Sequence, residues 1–142
     1  MKRALFFIAL VTLLAPPLRA ATDDEVAARK AVLEVAGAFT NDGFKLRDGS
    51  FTGVIHPKES ALVQVNLYAG NQYWFSVGTT AKAKKLTVTV FDEAGKPMTT
   101  EPYQDESKAA AGFSPEASGP YYVRVQELEG EPANFCLIYS YK

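Results

Sequence analysis

An all-β antiparallel fold, a jelly-roll-like β-sandwich preceded by one N-terminal α-helix, is predicted by three observations. Strand-length runs of period-two alternation recur from residue 44 to the end of the chain. Clusters of Gly, Pro, Asn and Asp separate those runs at short intervals, as they do between the strands of sandwiches. Helical periodicity is confined to one stretch before residue 43, so no crossover helix joins the later runs. The 142 residues suit one domain and a short extra segment.

The first residues read as a signal peptide, residues 1–20. Lys2 and Arg3 form its charged start, and Ala4 to Ala15 is an apolar run. That run is the size of a signal-peptide core and is short for a membrane span, which needs about 20 residues. Pro16 and Pro17 break it, and Leu18-Arg19-Ala20-Ala21 offers small residues for cleavage after Ala20, with Ala21 as the alternative. No Cys follows the site to carry a lipid. The expected location is periplasmic or secreted, with no membrane span after cleavage.

Residues 21–42 form the N-terminal helical segment. Thr22 and Glu25 match a capping box, and Asp23 and Asp24 suit the positive end of a helix. Ala28, Val32, Val35, Ala36 and Phe39 recur at helical spacing and make one apolar stripe. Asn41-Asp42-Gly43 ends the pattern. A single amphipathic helix needs a surface to cover, so it should pack on the sandwich or on a neighbour.

Residues 43–142 form the β-sandwich domain. Phe44 to Arg47 and Ser50 to Ile55 are short runs, and Asp48-Gly49 between them is a hairpin signal. Glu59 to Gly78 is the central pair. Ala61, Val63, Val65 and Leu67 share one face of its first strand. Tyr73, Phe75 and Val77 share one face of its second. Leu86 to Phe91 alternates most cleanly, with Leu86, Val88 and Val90 inward and Thr87 and Thr89 outward. Met98 to Glu101 reads as a short strand, Pro102 to Ser107 as a loop and Ala109 to Phe113 as a weak strand. Pro115 to Pro120 is a turn, Tyr121 to Gln126 a strong strand, Glu127 to Ala133 an acidic loop and Phe135 to Tyr141 the last strand. The expected core is Val65, Leu67, Tyr73, Phe75, Val88, Val123 and Val125.

The chemistry is sparse. Net charge is −1 and no basic stripe appears, the densest group being Lys82, Lys84 and Lys85, which argues against nucleic acid as a partner. One Cys and one His cannot assemble a zinc site of the usual type. In an oxidising compartment Cys136 is either buried and inert or exposed for an intermolecular bond, and the apolar run Phe135 to Ile138 favours burial. His56 precedes a Pro in a connecting segment and reads as solvent-facing. Gly112-Phe113-Ser114-Pro115-Glu116 has the first half of a nucleophile elbow but lacks its second Gly.

Two kinds of candidate site residue remain. Asp92 and Asp105 sit in turn and loop segments, where carboxylates could gather around Ca²⁺ or serve as a hydrolytic pair. Turns favour Asp for solvation alone, and no ligand spacing supports a metal, so no cofactor is the favoured reading. Tyr68 and Trp74 fall opposite the core-facing residues of their strands. They could stack on a sugar or a partner protein, or lie beneath a second covering layer such as the helix.

Three stretches together resemble one family. They are Val65-Asn66-Leu67-Tyr68-Ala69-Gly70 leading to Tyr73; Leu86-Thr87-Val88-Thr89-Val90-Phe91-Asp92 leading to Gly95; and Phe113-Ser114-Pro115 leading to Gly119-Pro120-Tyr121-Tyr122-Val123-Arg124-Val125. Residues 43–142 thereby resemble the bacterial pre-peptidase C-terminal domain family. The resemblance implies a secreted, jelly-roll-like sandwich of the kind appended to exported enzymes, and it implies no catalytic residues. Here no enzyme precedes the domain, only the signal and the helix. The expected function is an exported, non-enzymatic binding or accessory module with a protein or glycan partner. The alternatives are a carboxylate-dependent, glycosidase-like hydrolase and a purely structural envelope protein.

Overall fold

A computed structural model describes residues 19–142. The expected signal peptide, residues 1–20, lies outside the described residues except for its last two. One helix, α1 (Asp23–Asn41), precedes nine strands. These are β1 (Lys45–Leu46), β2 (Phe51–Ile55), β3 (Ser60–Leu67), β4 (Tyr73–Thr79), β5 (Ala83–Phe91), β6 (Glu101–Asp105), β7 (Lys108–Phe113), β8 (Gly119–Gly130) and β9 (Ala133–Tyr141).

The helix starts where its capping box lies. The Thr22 N–H donates to Glu25 Oε2 at 2.7 Å, and the Glu25 N–H donates to Thr22 Oγ1 at 3.2 Å. Two backbone donors that a helix start leaves orphaned are thereby satisfied. At the other end Gly43, at φ +89°, turns the chain out of the helix in a conformation that costs a glycine little.

The strands form two antiparallel sheets. The first runs β1-β9-β4-β7-β6, with β2 also on β9, and the second runs β3-β8-β5. Their inward faces meet in one apolar core. Val65, Leu67, Leu86, Val90, Val123 and Val125 come from the second sheet, and Tyr73, Phe75, Val77, Phe135, Leu137 and Tyr139 from the first. Of the expected core, Val88 alone is half-buried, packed against the cluster rather than within it. Leu86 and Val90 on either side of it are fully buried, so β5 keeps the expected face inward.

The outer face of the first sheet is also covered. Ala28, Val32 and Ala36 of α1 pack on Cys136 and Ile138 of β9. Beneath the helix, β4 supplies Ser76 and Gly78, β7 supplies Ala110 and β9 supplies Ser140, all small and buried. Small side chains let the helix axis come close, and Gly78 marks the closest point. A Cβ built there would lie 2.4 Å from the Val32 backbone nitrogen. Cys136 is fully buried in this layer, and burial pushes its thiol pKa up, which disfavours the reactive thiolate.

Four readings of the chain are corrected. Asp48-Gly49 does not close a hairpin: β1 and β2 pair in turn with β9, Leu46 opposite Ser140 and Phe51 opposite Leu137. The intervening segment bulges, with the Arg47 N–H donating to the Tyr139 carbonyl at 3.0 Å. Met98 to Glu101 is not a strand. Pro97 makes an isolated bridge to Phe91, and pairing resumes only at Glu101. Pro102 to Ser107 is not all loop, because β6 covers Glu101–Asp105. Pro102 is tolerated there since β6 is an edge strand with one side free of partners. Glu127 to Ala133 is not a loop either: β8 continues to Gly130, leaving Glu131-Pro132 as a two-residue turn before β9.

Candidate functional site

The chain crosses from the second sheet to the first through Tyr68–Gln72, and this crossing builds a cleft. Gly70, at φ +89°, reverses the backbone, and the Asn71 N–H donates to the Tyr68 carbonyl at 3.3 Å. The Tyr68 N–H and Asn71 Nδ2 both donate to Tyr73 Oη, at 3.0 and 3.2 Å. The Ala69 N–H donates to Ser118 Oγ at 2.9 Å, tying the crossing to the β7–β8 connection. At its end Gln72 pairs with Lys142 through the backbone, N–H to carbonyl at 2.9 Å and back at 3.0 Å, so side chains and backbone together satisfy the crossing.

Sheet register supplies the rest of the lining. On β9, Tyr141 stands opposite Tyr73 and Tyr139 opposite Phe75. The bulge between β1 and β2 brings Arg47 over the Tyr139 ring, 5.1 Å from its centroid. Asn66 reaches in from β3. The result is a cleft of about 360 Å³ lined by Arg47, Asn66, Tyr68, Asn71, Tyr73, Tyr139 and Tyr141. Tyr68 is 67% exposed and Tyr141 38%, whereas Tyr73 and Tyr139 are buried at its floor. Burial holds the Tyr139 phenol pKa above its ordinary value, with the Arg47 charge partly opposing. The phenol is therefore a protonated donor at neutral pH.

Trp74 belongs to a different surface. Its ring stacks on Phe39 near the end of α1, centroids 4.1 Å apart and planes 9° from parallel. It also lies over Gly112 of β7, where a Cβ would sit 2.9 Å from the indole. Trp74 borders a second cleft with Thr99, Thr100, Glu101 and Ser114. The structure thus separates Tyr68 from Trp74, and Tyr73 alone of the tyrosines lines both clefts.

Asp92 and Asp105 are not brought together. Asp92 follows β5, and its Oδ1 accepts from the Lys96 N–H at 2.8 Å inside the turn. Asp105 ends β6 opposite Lys108. Next to it, Gln104 Nε2 donates to the Leu86 carbonyl at 2.9 Å, which places this end of β6 near the start of β5. Leu86 and Asp92 are separated by six residues of extended chain, roughly 20 Å at strand rise. One ion could not hold both carboxylates. No group of three His, Cys, Asp or Glu side chains that could hold a metal occurs among the described residues. Ser114 follows a strand and leads to another strand, so the strand-to-helix context of a nucleophile elbow is missing.

His56, expected at the solvent, and Glu127, expected in an acidic loop, part company. The His56 side chain is half exposed and pairs through Nδ1 with Glu59 Oε2 at 3.0 Å. Glu127 is fully buried on the inward face of β8, and neither carboxylate oxygen has a hydrogen-bond partner in the protein. The Gly130 backbone and the Lys82–Lys84 segment close over it. Burial raises its pKa, and the positive field of His56 only partly opposes this. The folded state then binds this proton more tightly than the unfolded state does. Stability from Glu127 is full below the unfolded pKa, falls as pH rises through the window up to the folded pKa, and stays low above it. Glu127→Gln should match the wild type near pH 4 and exceed it by about 1–3 kcal/mol at pH 8. Urea unfolding of both proteins at both pH values checks this. A constant difference across pH would refute it.

No family model matches the chain, and no curated protein matches it. Among solved structures it is similar to a de novo designed double-stranded β-helix determined by solution NMR. Identity is 18%, the TM-score is 0.35, and the match covers 64% of this chain and 97% of that one. A likeness at that level bears on neither topology nor function. No helix among the described residues is long and apolar enough to cross a membrane.

Proposed function

We propose that the chain is an exported, non-enzymatic binding or accessory module of the bacterial cell envelope or secretome, with a protein or glycan partner. The observation that carries this is the tyrosine cleft: four tyrosines, two asparagines and one arginine around about 360 Å³. Tyrosine offers a large apolar face with a polar tip at little entropic cost, which suits recognition rather than bond-breaking. Asp92 and Asp105, the candidate hydrolytic pair, stand apart in this fold, and no cofactor or Ca²⁺ is part of this reading. Residues 1–20 direct export to the periplasm or the medium, and residues 43–142 make a jelly-roll-like sandwich resembling the pre-peptidase C-terminal domains. That resemblance and the leader are its further supports.

A glycan array probed with wild type and with Tyr68→Ala tests the reading. Tyr68 is exposed and outside the core, so its truncation should leave unfolding unchanged. Binding should weaken by about tenfold, on the order of 1.4 kcal/mol. Trp74→Ala should instead lower stability, because it strips Phe39 of its stacking partner. A glycan that is turned over, with turnover lost on replacing Asp92 or Asp105, would favour the hydrolase instead.

A further inference from the structure

We infer that the tyrosine cleft takes a carboxylated glycan, a uronic-acid oligosaccharide, with Arg47 receiving the carboxylate. This rests on reading the cleft as the binding site and goes on to name the ligand's chemistry.

The cleft is lined by donors and lacks acids. Tyr73 Oη already accepts two hydrogen bonds, from the Tyr68 N–H and from Asn71 Nδ2, so what it has left is its own O–H proton. Arg47 makes no ion pair among the described residues and stands exposed at the cleft, over the Tyr139 ring. Its guanidinium offers a planar fork that matches a carboxylate bidentately. No Asp or Glu side chain lines the cleft, so nothing there would repel an anion. The rims are sugar-like in their demands. Tyr68 and Tyr141 expose ring surface on which a pyranose face can stack, and Asn66 adds an amide for hydroxyl groups.

An acidic peptide fits less well for a backbone reason. A peptide adds to a sheet through a free edge. Of the two strands behind the cleft, β4 lies between β9 and β7, and β9 lies between β4 and the β1–β2 segment. The cleft floor therefore offers no backbone edge, and recognition there falls to side chains, as it does for a sugar; β3, which brings Asn66, keeps one side unpaired, and a polyglutamate probe tests that edge.

Calorimetry on the purified protein decides the matter. The probes are oligomers of galacturonate, mannuronate and guluronate, each beside its carboxyl-reduced counterpart, and a polyglutamate peptide. At least one uronate should bind, its reduced form at least about tenfold more weakly. Arg47→Gln should erase that preference, Arg47→Lys should retain part of it, and Tyr68→Ala should weaken both forms together. Equal binding of the reduced form would overturn the acidic inference while leaving a glycan-binding cleft. Polyglutamate binding as tight as the uronates and equally dependent on Arg47 would overturn the glycan inference in favour of acidic protein. Binding of none of these probes would overturn the inference outright, and the array result with Tyr68→Ala would then judge the cleft separately.

Discussion

Phe75→Ala should destabilise the protein by about 3–5 kcal/mol, as truncation of a large core aromatic does. Phe75 is completely buried, on a strand flanked by β9 and β7. Its ring lies 5.3 Å from Tyr139 and 6.2 Å from Tyr73, centroid to centroid. The cavity left behind would have rigid sheet on both flanks and little freedom to collapse. Thr87→Ala is the comparison. Thr87 is half-buried on the outer face of edge strand β5, and its loss should cost under about 1 kcal/mol. Urea unfolding of both variants beside the wild type reads the difference. Equal damage from Thr87→Ala would mean that β5 presents its other face to the core. Because Tyr73 and Tyr139 floor the cleft, Phe75→Ala should also loosen ligand binding without touching a ligand.

Gly78→Ala should detach the helix. The added Cβ would stand 2.4 Å from the Val32 nitrogen and 2.8 Å from the Ala28 carbonyl oxygen. Both are backbone atoms of a helix, and neither can rotate away, so α1 must lift as a unit. Overpacking of this kind costs about 1–3 kcal/mol or more. The lift would uncover Cys136, which is otherwise buried between helix and sheet. A thiol reagent should therefore modify Gly78→Ala far faster than wild type under native conditions. The control is Gly37→Ala, on the exposed side of the same helix with nothing within 4 Å. It should gain up to about 1 kcal/mol from helix propensity alone. Thiol reactivity unchanged in Gly78→Ala would show that the helix does not rest on that glycine.

What could be read along the chain shares one property: it depends on neighbours a few residues away. The helix start is legible because Thr22 and Glu25 cap each other across three residues. Strand faces are legible because pleating sends alternate side chains to opposite sides, which placed Val65, Leu67, Tyr73, Phe75, Val123 and Val125 in the core. The same alternation, carried two residues further along β8, puts Glu127 inward after Tyr121, Val123 and Val125. Its charge argued for a loop, and register overruled charge, because Glu127 is laddered to Leu86 of β5 and its carbonyl accepts from the Lys58 N–H at 2.8 Å, which holds the strand in phase.

Of the cleft, Tyr68 was legible as an outward aromatic, and its partners were not. Arg47, Tyr139 and Tyr141 come from opposite ends of the domain and meet only through the pairing of β1 and β2 with β9 and of β9 with β4. The Asp48-Gly49 turn signal pointed to a hairpin that would have carried Arg47 elsewhere. By itself, the sequence determined the helix and its cap, which strand faces are apolar and roughly where most strands lie. Tertiary structure alone decided which strand lies at an edge, which outward aromatic the helix covers and which stays open. Those outcomes turn on hydrogen-bond partners and packing surfaces tens of residues away, and no local propensity encodes them.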